Sequence, residues 1–470
     1  MNTNVPQTAD PEGSFRDSVA TISQDGKRNW IYPKQPKGRY YDRRTIVSVV
    51  FLILMFAGPF LKIDGHPLML FNVLERKFIL FGIAFWPQDF HLFVLAMLTF
   101  IVFIILFTVL FGRLWCGWAC PQTIFMEMVF RKIEYWIEGD APQQKALNAE
   151  PANPRKFRKK FLKNSIFFLI SFIIANTFLA YLIGIDELKL LVEEGPGQHA
   201  GTFTSLIIFS LVFFGVYIKF REQACIVVCP YGRLQGVLLD KNSVVIGYDY
   251  KRGEPRGKIH KNEERTLGDC IDCHQCVQVC PTGIDIRNGT QLECVNCTAC
   301  IDACDTIMDK INKPRGLIRY TSEEAIATGN KFKVTTRIVA YSVVLTILLS
   351  TLITLLALRT DVEATILRTP GMLYQEQPNG QVSNLYNVKI VNKTFKAMPI
   401  EVKITEPSGN VKWVGNGIQT IQPQDIAEGE FFILLDNQLI KTTKTKIKID
   451  IYSNGKPVEN VTTNFIGPVN

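Results

Sequence analysis

The chain has 470 residues, of which 47% are hydrophobic and 11% aromatic, and its 52 Lys and Arg residues exceed its 43 Asp and Glu residues to give a net charge of +9. This length allows several domains, and the apolar content favours a membrane protein over a single soluble fold. Because the basic residues cluster beside apolar runs, we interpret them as determinants of membrane topology and expect no nucleic-acid partner.

The N-terminal segment, residues 1–43, is polar and carries four prolines and several basic residues. No apolar run occurs early enough to form the core of a cleaved signal peptide, so the first hydrophobic stretch should remain as a membrane anchor. We therefore predict that residues 1–43 form a flexible tail on the cytoplasmic side.

Five apolar runs approach the roughly 20 residues that a helix needs to cross a bilayer. Buried helices of a large soluble protein are the alternative, but each run lacks a polar face along most of its length and is nearly free of ionisable residues. The sequence thus predicts an α-helical bundle of five transmembrane helices. The runs are Thr45–Leu61, His91–Phe111, Ser165–Ile183, Phe203–Phe220 and Ile338–Leu358.

Charges beside these runs predict their orientation. Arg43 and Arg44 precede the first helix and the loop after the second is strongly basic, whereas the loop after the third is acidic, with Asp186 and Glu187 near its start. The positive-inside rule then places the N-terminus in the cytoplasm and the C-terminus outside. All 12 cysteines lie between Cys116 and Cys304, on the reducing side, which argues against structural disulfides.

The segment from His66 to Phe90 is apolar but is interrupted by Glu75, Arg76 and Lys77. Its pattern suits either an interfacial helix or a short β-hairpin. We do not count it as a membrane span.

A C-x3-C-P motif follows the second helix and recurs after the fourth, and an arginine precedes both copies. If the helix continues, its two cysteines lie on one face, and the proline that follows can begin a new helix. The two pairs can meet as a four-sulfur site at the membrane boundary, and soft thiolates select Cu(I), zinc or an iron-sulfur cluster. A third cubane and simple helix packing are the alternatives, although thiolates near cations favour function. The cysteines are Cys116, Cys120, Cys225 and Cys229.

Eight further cysteines repeat the C-x2-C-x2-C-x3-C spacing of bacterial two-cluster ferredoxins. In this arrangement the fourth cysteine of each run closes the other cluster, so we predict two [4Fe-4S] clusters rather than disulfides or zinc. One cluster is assigned to Cys270, Cys273, Cys276 and Cys304, and the other to Cys280, Cys294, Cys297 and Cys300. Asp305 stands where the second run would usually have proline, which questions the turn there.

Apolar and polar residues alternate from about Thr365 to the C-terminus, between turn signals such as Pro407-Ser408-Gly409. Short strands at this spacing predict a β-sandwich of immunoglobulin type. The whole chain is therefore predicted to be a multidomain membrane protein. Its parts are a tail (1–43), a membrane domain with four helices (44–240), an α+β two-cluster ferredoxin domain (241–330), the fifth transmembrane helix (331–360) and an immunoglobulin-like domain (361–470).

This order of elements, with F-W-P-Q-D at Phe85–Asp89, C-G-W-A-C-P-Q at Cys116–Gln122 and C-P-Y-G-R at Cys229–Arg233, resembles the CcoG/FixG/RdxA family of cytochrome c oxidase accessory proteins. The resemblance implies a membrane oxidoreductase, a cupric reductase, that supplies Cu(I) during assembly of a cbb-type oxidase. It also implies that Cys116, Cys120, Cys225 and Cys229 face copper.

The expected partners are the membrane, copper, an unidentified cytoplasmic electron donor and the oxidase or its assembly factors, with a homodimer as a further expectation. The expected location is the bacterial inner membrane, with the clusters in the cytoplasm and the C-terminal domain in the periplasm. Two rival functions remain: a quinol-linked membrane electron conduit, and a copper chaperone or assembly scaffold whose clusters are structural.

Overall fold

The computed structural model describes residue 21 and residues 27–63, 65–73, 77–86, 89–259, 267–329, 334–440 and 442–468. Most of the predicted tail, and the predicted interruptions Glu75 and Arg76, lie outside these residues, as do Pro87 and Gln88 of the F-W-P-Q-D motif. The chain forms two compact units, one of Met1–Pro59 with Ala96–Leu349 and the other of Phe60–Leu95 with Ser350–Asn470.

Fifteen α-helices occur among the described residues. Short π-helical segments follow α4 (Ile124–Phe130) and α9 (Val216–Phe220), and another precedes α10 (Ala224–Val228). The helices are α1 Arg39–Ala57, α2 Phe90–Phe111, α3 Leu114–Trp118, α4 Pro121–Thr123, α5 Arg131–Glu138, α6 Ala141–Ala149, α7 Pro154–Ile183, α8 Ile185–Glu194, α9 Ala200–Gly215, α10 Pro230–Leu238, α11 Tyr250–Gly253, α12 Gln275–Gln278, α13 Ala299–Lys310, α14 Glu323–Thr328 and α15 Thr336–Ala357.

Within the described residues, five helices are long and apolar enough to cross a membrane: α1, α2, α7, α9 with its π-helical end, and α15. These are the five predicted runs. α7 is longer than predicted, because Asn153 caps its N-terminus through a hydrogen bond from Lys156 N, and Pro154 occupies its first position. A basic first half therefore precedes the apolar half of the same helix.

The described end of the tail, residues 27–38, is held against the first unit, although the sequence predicted a flexible tail up to residue 43. Arg28 forms an ion pair with Glu222 at 2.9 Å, and Lys34 N donates a hydrogen bond to Gln278 O. Tyr135 donates to the carbonyl of Pro33. Partners supplied by distant segments fix this stretch, which composition alone does not reveal.

The cysteine-rich segment has few regular elements. A two-stranded antiparallel sheet, β6 (Val245–Tyr248) with β7 (Ile318–Thr321), brackets the loops and the helices α12 and α13. The core between the sheet and the helices consists of Ile246, Ile286, Ile301, Met308 and Leu317 together with the cysteines. This small α+β domain agrees with the predicted ferredoxin class.

The second unit joins two parts of the chain that the sequence assigned to different domains. The segment predicted as either an interfacial helix or a hairpin is a β-hairpin structure, built from β1 (Lys62–Ile63) with β2 (His66–Pro67), and from β3 (Met69–Asn72), β4 (Lys77–Leu80) and β5 (Ile83–Phe85). The sequence pattern assigns this segment to the membrane domain 44–240. It belongs instead with the C-terminal domain.

Buried ion pairs and a ring contact explain this grouping. Asp89 is 3% exposed and accepts hydrogen bonds from Arg359 and Lys393, both at 2.7 Å. Although burial opposes ionisation, these two cations hold the pKa of Asp89 below its ordinary value. His66 also stacks on Phe395, with ring centroids 4.0 Å apart. The hairpin is therefore fixed to the C-terminal domain by charge pairing and packing.

The C-terminal domain is a sandwich of antiparallel sheets around one apolar core, as predicted. The larger sheet has the order β13–β15–β10–β8 with β9 paired to β10, the smaller has the order β12–β16–β17, and β11 pairs with β14. Fully buried Tyr386 and Phe431 from one sheet and Ile447 and Ile449 from the other form the core. The strands are β8 Val362–Arg368, β9 Gln375–Glu376, β10 Gln381–Asn392, β11 Met398–Pro399, β12 Glu401–Glu406, β13 Asn410–Trp413, β14 Thr420–Ile421, β15 Ile426–Asp436, β16 Lys444–Ser453 and β17 Lys456–Ile466.

Candidate functional site

One cavity of the ferredoxin segment is lined by four of the eight cysteines of the ferredoxin run, here called the ferredoxin cysteines. They are Cys270, Cys273, Cys276 and Cys304. This is the set that the sequence assigned to one cluster, including the distant fourth cysteine. Apolar residues such as Ile307 and Leu317 complete the walls.

A second cavity is lined by the other ferredoxin cysteines. They are Cys280, Cys294, Cys297 and Cys300, and Cys276 from the first set also reaches this cavity. The two cavities are therefore neighbours. The predicted exchange of the fourth cysteine between the two runs agrees with the geometry, since Cys280 and Cys304 each line the cavity of the opposite run.

Left-handed residues shape both loops in the same way. Asp272 and Asn296 adopt φ values near 53°, and His274 and Thr298 adopt φ values of 56° and 65°. These residues flank the second cysteine of each run, so the backbone repeats as the sequence does. Asp, Asn and His tolerate this region better than other non-glycine residues, whereas β-branched Thr298 is held there against its preference.

Backbone N–H groups point at several of these sulfurs. Cys280 interacts with the N–H groups of Thr282, Gly283 and Ile284, and its Sγ lies 3.3 Å from the Thr282 hydroxyl. Cys294 and Cys297 similarly interact with the backbone N–H groups two residues further on. Hydrogen bonds to cluster sulfurs favour the more negative, reduced state and are one way in which a protein sets cluster potential.

Burial raises the thiol pKa of six ferredoxin cysteines, which are Cys276, Cys280, Cys294, Cys297, Cys300 and Cys304. It raises the pKa of Cys276, Cys294 and Cys304 to about 12 and that of Cys297 to about 11. A bound cationic centre reverses this preference, because a coordinating thiol is deprotonated by the metal. The donor set therefore fits a buried metal cluster, whereas free thiolates are disfavoured.

Asp305 does not disturb the turn that the sequence called into question. It lies within α13, where its carboxylate accepts a hydrogen bond from Gly316 N at 2.9 Å and pairs with Arg39 at 3.5 Å. The neighbouring Asp302 accepts hydrogen bonds from the backbone N–H groups of Tyr40 and Tyr41. These carboxylates thus attach the start of α1 to the ferredoxin segment.

The remaining cysteines, Cys116, Cys120, Cys225 and Cys229, are here called the CxxxCP cysteines, and each pair stands at a helix break. Cys120 and Cys229 have extended backbones with ψ of 124° and 112°, and the prolines that follow begin α4 and α10. The predicted break and restart are therefore present. Neither pair lies on one continuous helix, because proline disfavours helical geometry at the preceding residue, so the condition for a shared helix face is not met.

Contacts between distant segments bring the two CxxxCP motifs together. Arg113 donates a hydrogen bond to Gly232 O, the Cys116 thiol donates to Gln235 Oε1 at 3.4 Å, and the Thr108 and Tyr231 hydroxyls lie 3.3 Å apart. Electrostatic interaction links Cys225 with the other three thiols and Cys116 with Cys120 and Cys229. The four sulfurs thus share one site.

This four-thiol site abuts the loop of the second ferredoxin run. A Cβ placed on Gly117 would lie 2.6 Å from Val295 O and closer still to Asn296 O. Cys116 packs against the small cluster formed by Val279, Val295, Cys297 and Ala299. Only glycine at position 117 allows this approach.

Two arginines occupy the junction. Arg44 is 3% exposed, and its Nε donates to Gly117 O at 2.6 Å while Nη1 contacts Cys297 O at 3.5 Å. Arg113 interacts electrostatically with both Cys116 and Cys294. The sequence identified Arg44 only as a topology determinant, and its burial against both sites was not predictable from a charge count.

Although the sequence has an arginine before each CxxxCP motif, these two arginines, Arg113 and Arg221, are not equivalent in the structure. Burial raises the pKa of the Cys116 and Cys225 thiols to about 12, and Arg113 only partly offsets this effect at Cys116. Arg221 instead forms a bidentate pair with Glu134, at 2.8 and 2.7 Å. Proximity to cations alone therefore does not keep these thiols ionised.

The tryptophans beside Cys116 have different environments. Trp115 is exposed, as an interfacial anchor would be, whereas Trp118 donates a hydrogen bond to the Tyr320 hydroxyl at 2.9 Å. Trp118 therefore tethers the first CxxxCP motif to β7. His274 contacts Arg287 and Asp272 at the rim of the first cavity, and we assigned no ligand role to histidine.

Within the described parts of the chain, no three Cys, His, Asp or Glu side chains form a site for a single metal ion.

Three family models match the chain. A 4Fe-4S dicluster domain matches residues 220–323, a 4Fe-4S binding domain matches residues 93–139, and an Ig-like fold found at the C-terminus of FixG matches residues 352–468. The models cover the ferredoxin cysteines, both CxxxCP motifs and the C-terminal sandwich. The chain is therefore an iron-sulfur protein with an Ig-like C-terminal domain.

Curated relatives extend this match along the chain. Protein RdxB of Cereibacter sphaeroides is 35% identical over 404 residues, covering 82% of this chain and 84% of the relative, and RdxA of the same organism is 34% identical, covering 78% and 80%. Nitrogen fixation protein FixG of Rhizobium meliloti is 36% identical, covering 63% of this chain and 58% of the relative. At this identity and coverage, the chain belongs to the FixG/RdxA family of 4Fe-4S oxidoreductase-like proteins, and it is a multi-pass membrane protein of iron-sulfur electron transfer.

Proposed function

We propose that the protein is a cupric reductase of the bacterial inner membrane, which converts Cu(II) to Cu(I) for assembly of a cbb-type cytochrome c oxidase. The observation that carries the proposal is the contact between the second ferredoxin cavity and the four-thiol site, at Gly117 and Val295. It gives electrons a short route from the ferredoxin segment to soft sulfur ligands at the ends of membrane helices.

The cavities support a specific assignment of ligands. One [4Fe-4S] cluster would be held by Cys270, Cys273, Cys276 and Cys304, and the other by Cys280, Cys294, Cys297 and Cys300. When bound, such clusters supply one-electron carriers with potentials between about −700 and +450 mV. This range includes potentials that allow electron transfer to Cu(II).

The chain's own residues hold the successive sites close together. Cys276 lines both cavities. Cys116 packs against the cluster that contains Val295 and Cys297. The Arg44 guanidinium contacts both the Gly117 carbonyl and the Cys297 carbonyl. No long gap therefore separates the first cavity from the four-thiol site.

Positive charge and exclusion of water favour electron arrival at this junction. Arg44 and Arg113 are both buried, at 3% and 6% exposure. A buried guanidinium stabilises added negative charge nearby, and a weakly polar surrounding strengthens that interaction. Each Cu(II) reduced to Cu(I) removes one electron from the protein, and a cytoplasmic one-electron donor replaces it.

The proposed orientation follows from the charges beside the membrane helices. The N-terminus and both ferredoxin cavities would face the cytoplasm, and the Ig-like domain would face the periplasm. The Ig-like domain has no cysteine and would act as a docking module for the oxidase or an assembly factor. A homodimer is compatible with this role.

Cupric reduction can be tested with the full-length protein in detergent. The anaerobic protein is reduced with dithionite, freed of excess reductant and mixed with Cu(II). We expect the visible absorbance of oxidised clusters to return while a Cu(I) chelator reports one Cu(I) for each electron lost. Absence of both changes would exclude the proposal, and reduction by a quinol analogue with indifference to Cu(II) would support the electron-conduit alternative.

A further inference from the structure

The four-thiol site has the composition of a third iron-sulfur site. The 4Fe-4S binding domain matched to residues 93–139 contains only two cysteines, Cys116 and Cys120. A cubane ordinarily takes four cysteine ligands. The contacts between the motifs bring Cys225 and Cys229 to the same site. The site therefore has the four cysteines that a cubane requires.

We infer that Cys116, Cys120, Cys225 and Cys229 together bind a third [4Fe-4S] cluster. This inference goes beyond the proposed function and holds whether or not copper is the electron acceptor. It replaces the sequence expectation that these thiols hold copper directly. Copper remains the proposed substrate, and it would receive its electron at this site.

Buried donors at the site point to an anionic, sulfur-rich occupant. Gln235 is fully buried, contacts Cys116 through Oε1 and also interacts with the Tyr231 hydroxyl. Arg113 is also buried, and its Nε has no hydrogen-bond partner. An unpaired buried donor is costly, at about 1–3 kcal/mol, which favours an acceptor at this position. Cubane sulfides and thiolates are such acceptors.

The expected charge agrees with these surroundings. A [4Fe-4S] core of charge about +2 bound by four thiolates has a net charge of about −2. Arg113 supplies a buried positive charge beside Cys116, and Cys229 directly precedes the first residue of the nine-residue helix α10. Helix N-termini favour negative charge.

Loading the site exchanges protons for iron. A preformed [4Fe-4S] cluster of core charge about +2 would exchange its carrier's four ligands for the four thiols of this chain: four S–H bonds break, four S–Fe bonds form, and the four protons pass to the departing ligands or to solvent. The loaded site needs no redox change in the protein for assembly.

Iron and acid-labile sulfide analysis of the anaerobically purified full-length protein tests the inference. We expect about twelve irons and twelve sulfides per chain, against about eight of each if only the ferredoxin cysteines bind clusters. The double variant Cys116→Ser/Cys225→Ser should fall to about eight and keep the EPR signals of the two ferredoxin clusters. A wild-type content of about eight irons, unchanged in the variant, would overturn the inference, as would one stoichiometric copper ion that this variant loses.

A gentler substitution covers the case in which the double variant fails to fold. Gln235→Leu removes the buried amide beside Cys116 and keeps all twelve cysteines. We expect it to shift the reduction potential of one of three EPR-active clusters, while Arg233→Gln on the exposed side of α10 shifts none. Only two titrating clusters in the wild type, both unaffected by Gln235→Leu, would contradict the inference independently of copper reduction.

Discussion

The ferredoxin cysteines and the CxxxCP cysteines are buried alike but are positioned by different means. Short loops with repeated left-handed residues place the ferredoxin cysteines, and neighbouring N–H groups serve as their hydrogen-bond donors. The CxxxCP cysteines come from motifs more than 100 residues apart and meet through contacts such as Arg113 with Gly232. The first site should therefore tolerate damage to the helix bundle, whereas the second should not.

The largest effect that would separate the two sites is expected from Glu134→Gln. Glu134 is 2% exposed and pairs with Arg221 and Lys163, so its loss leaves buried cations uncompensated. Breaking a buried ion pair in this way costs about 3–5 kcal/mol. Thermal unfolding in detergent should show this loss, and the irons that depend on the CxxxCP cysteines should be lost first.

Glu134→Gln also tests a predicted pH dependence of the protein's stability. Burial opposes ionisation of Glu134, but Arg221 and Lys163 outweigh it and lower the pKa of Glu134 from 4.5 to about 2. The stability it contributes is therefore present above pH ~4.5 and is lost as the pH falls towards 2. Glu134→Gln should lack this component, whereas exposed Glu187→Gln should match the wild type. Equal pH profiles for all three proteins would contradict the assignment.

A smaller effect is expected from Gly117→Ala, which tests the contact between the sites. The added Cβ would meet the carbonyls of Val295 and Asn296, and overpacking of this kind costs about 1–3 kcal/mol. Stopped-flow reoxidation by Cu(II) should slow, because the four-thiol site is pushed away from the second cavity. Gly215→Ala is the matched control, since nothing lies within 4 Å of its added Cβ. Unchanged rates of reoxidation by Cu(II) in both variants would show that this contact is not part of the electron route.

The smallest effect is expected within the ferredoxin site, from Thr282→Val. The variant removes the hydroxyl 3.3 Å from Cys280 Sγ but keeps the backbone N–H groups and the side-chain shape. Loss of about 0.5–1.5 kcal/mol of hydrogen bonding to the reduced state lowers one cluster potential by roughly 20–65 mV. An EPR redox titration measures this shift. Exposed Thr306→Val on α13 should leave every potential unchanged, and a shift shared by all clusters would argue against a local effect.

The sequence predicted most reliably what depends on neighbouring residues. Cysteine spacing predicted the two ferredoxin cavities, including the exchange of Cys280 and Cys304, because short loops restrict where each thiol can lie. The length of the apolar runs predicted the five candidate spans, because hydropathy also depends only on neighbouring residues. Pro121 and Pro230 predicted helix restarts, since proline is restricted locally.

Features that depend on distant partners escaped prediction. Gln235 lies beside Cys116, and Glu134 pairs with Arg221, although nothing in the local sequence of either residue indicates a partner. The hairpin after α1 joins the C-terminal domain through Asp89 and Lys393, which are 304 residues apart. Paired arginines before the CxxxCP motifs suggested equal roles, but Arg221 forms an ion pair with Glu134 whereas Arg113 donates a hydrogen bond to the Gly232 carbonyl, and only tertiary structure reveals this difference.

The most direct test of the account compares Cu(II)-driven reoxidation in the wild type and in Cys116→Ser/Cys225→Ser, both first reduced with dithionite under anaerobic conditions. If electrons leave through the four-thiol site, the variant should accept electrons at its ferredoxin clusters but return them to Cu(II) at least about tenfold more slowly, which corresponds to about 1.4 kcal/mol in the activation free energy. Equal reoxidation rates, with the ferredoxin EPR signals intact in both proteins, would contradict the account.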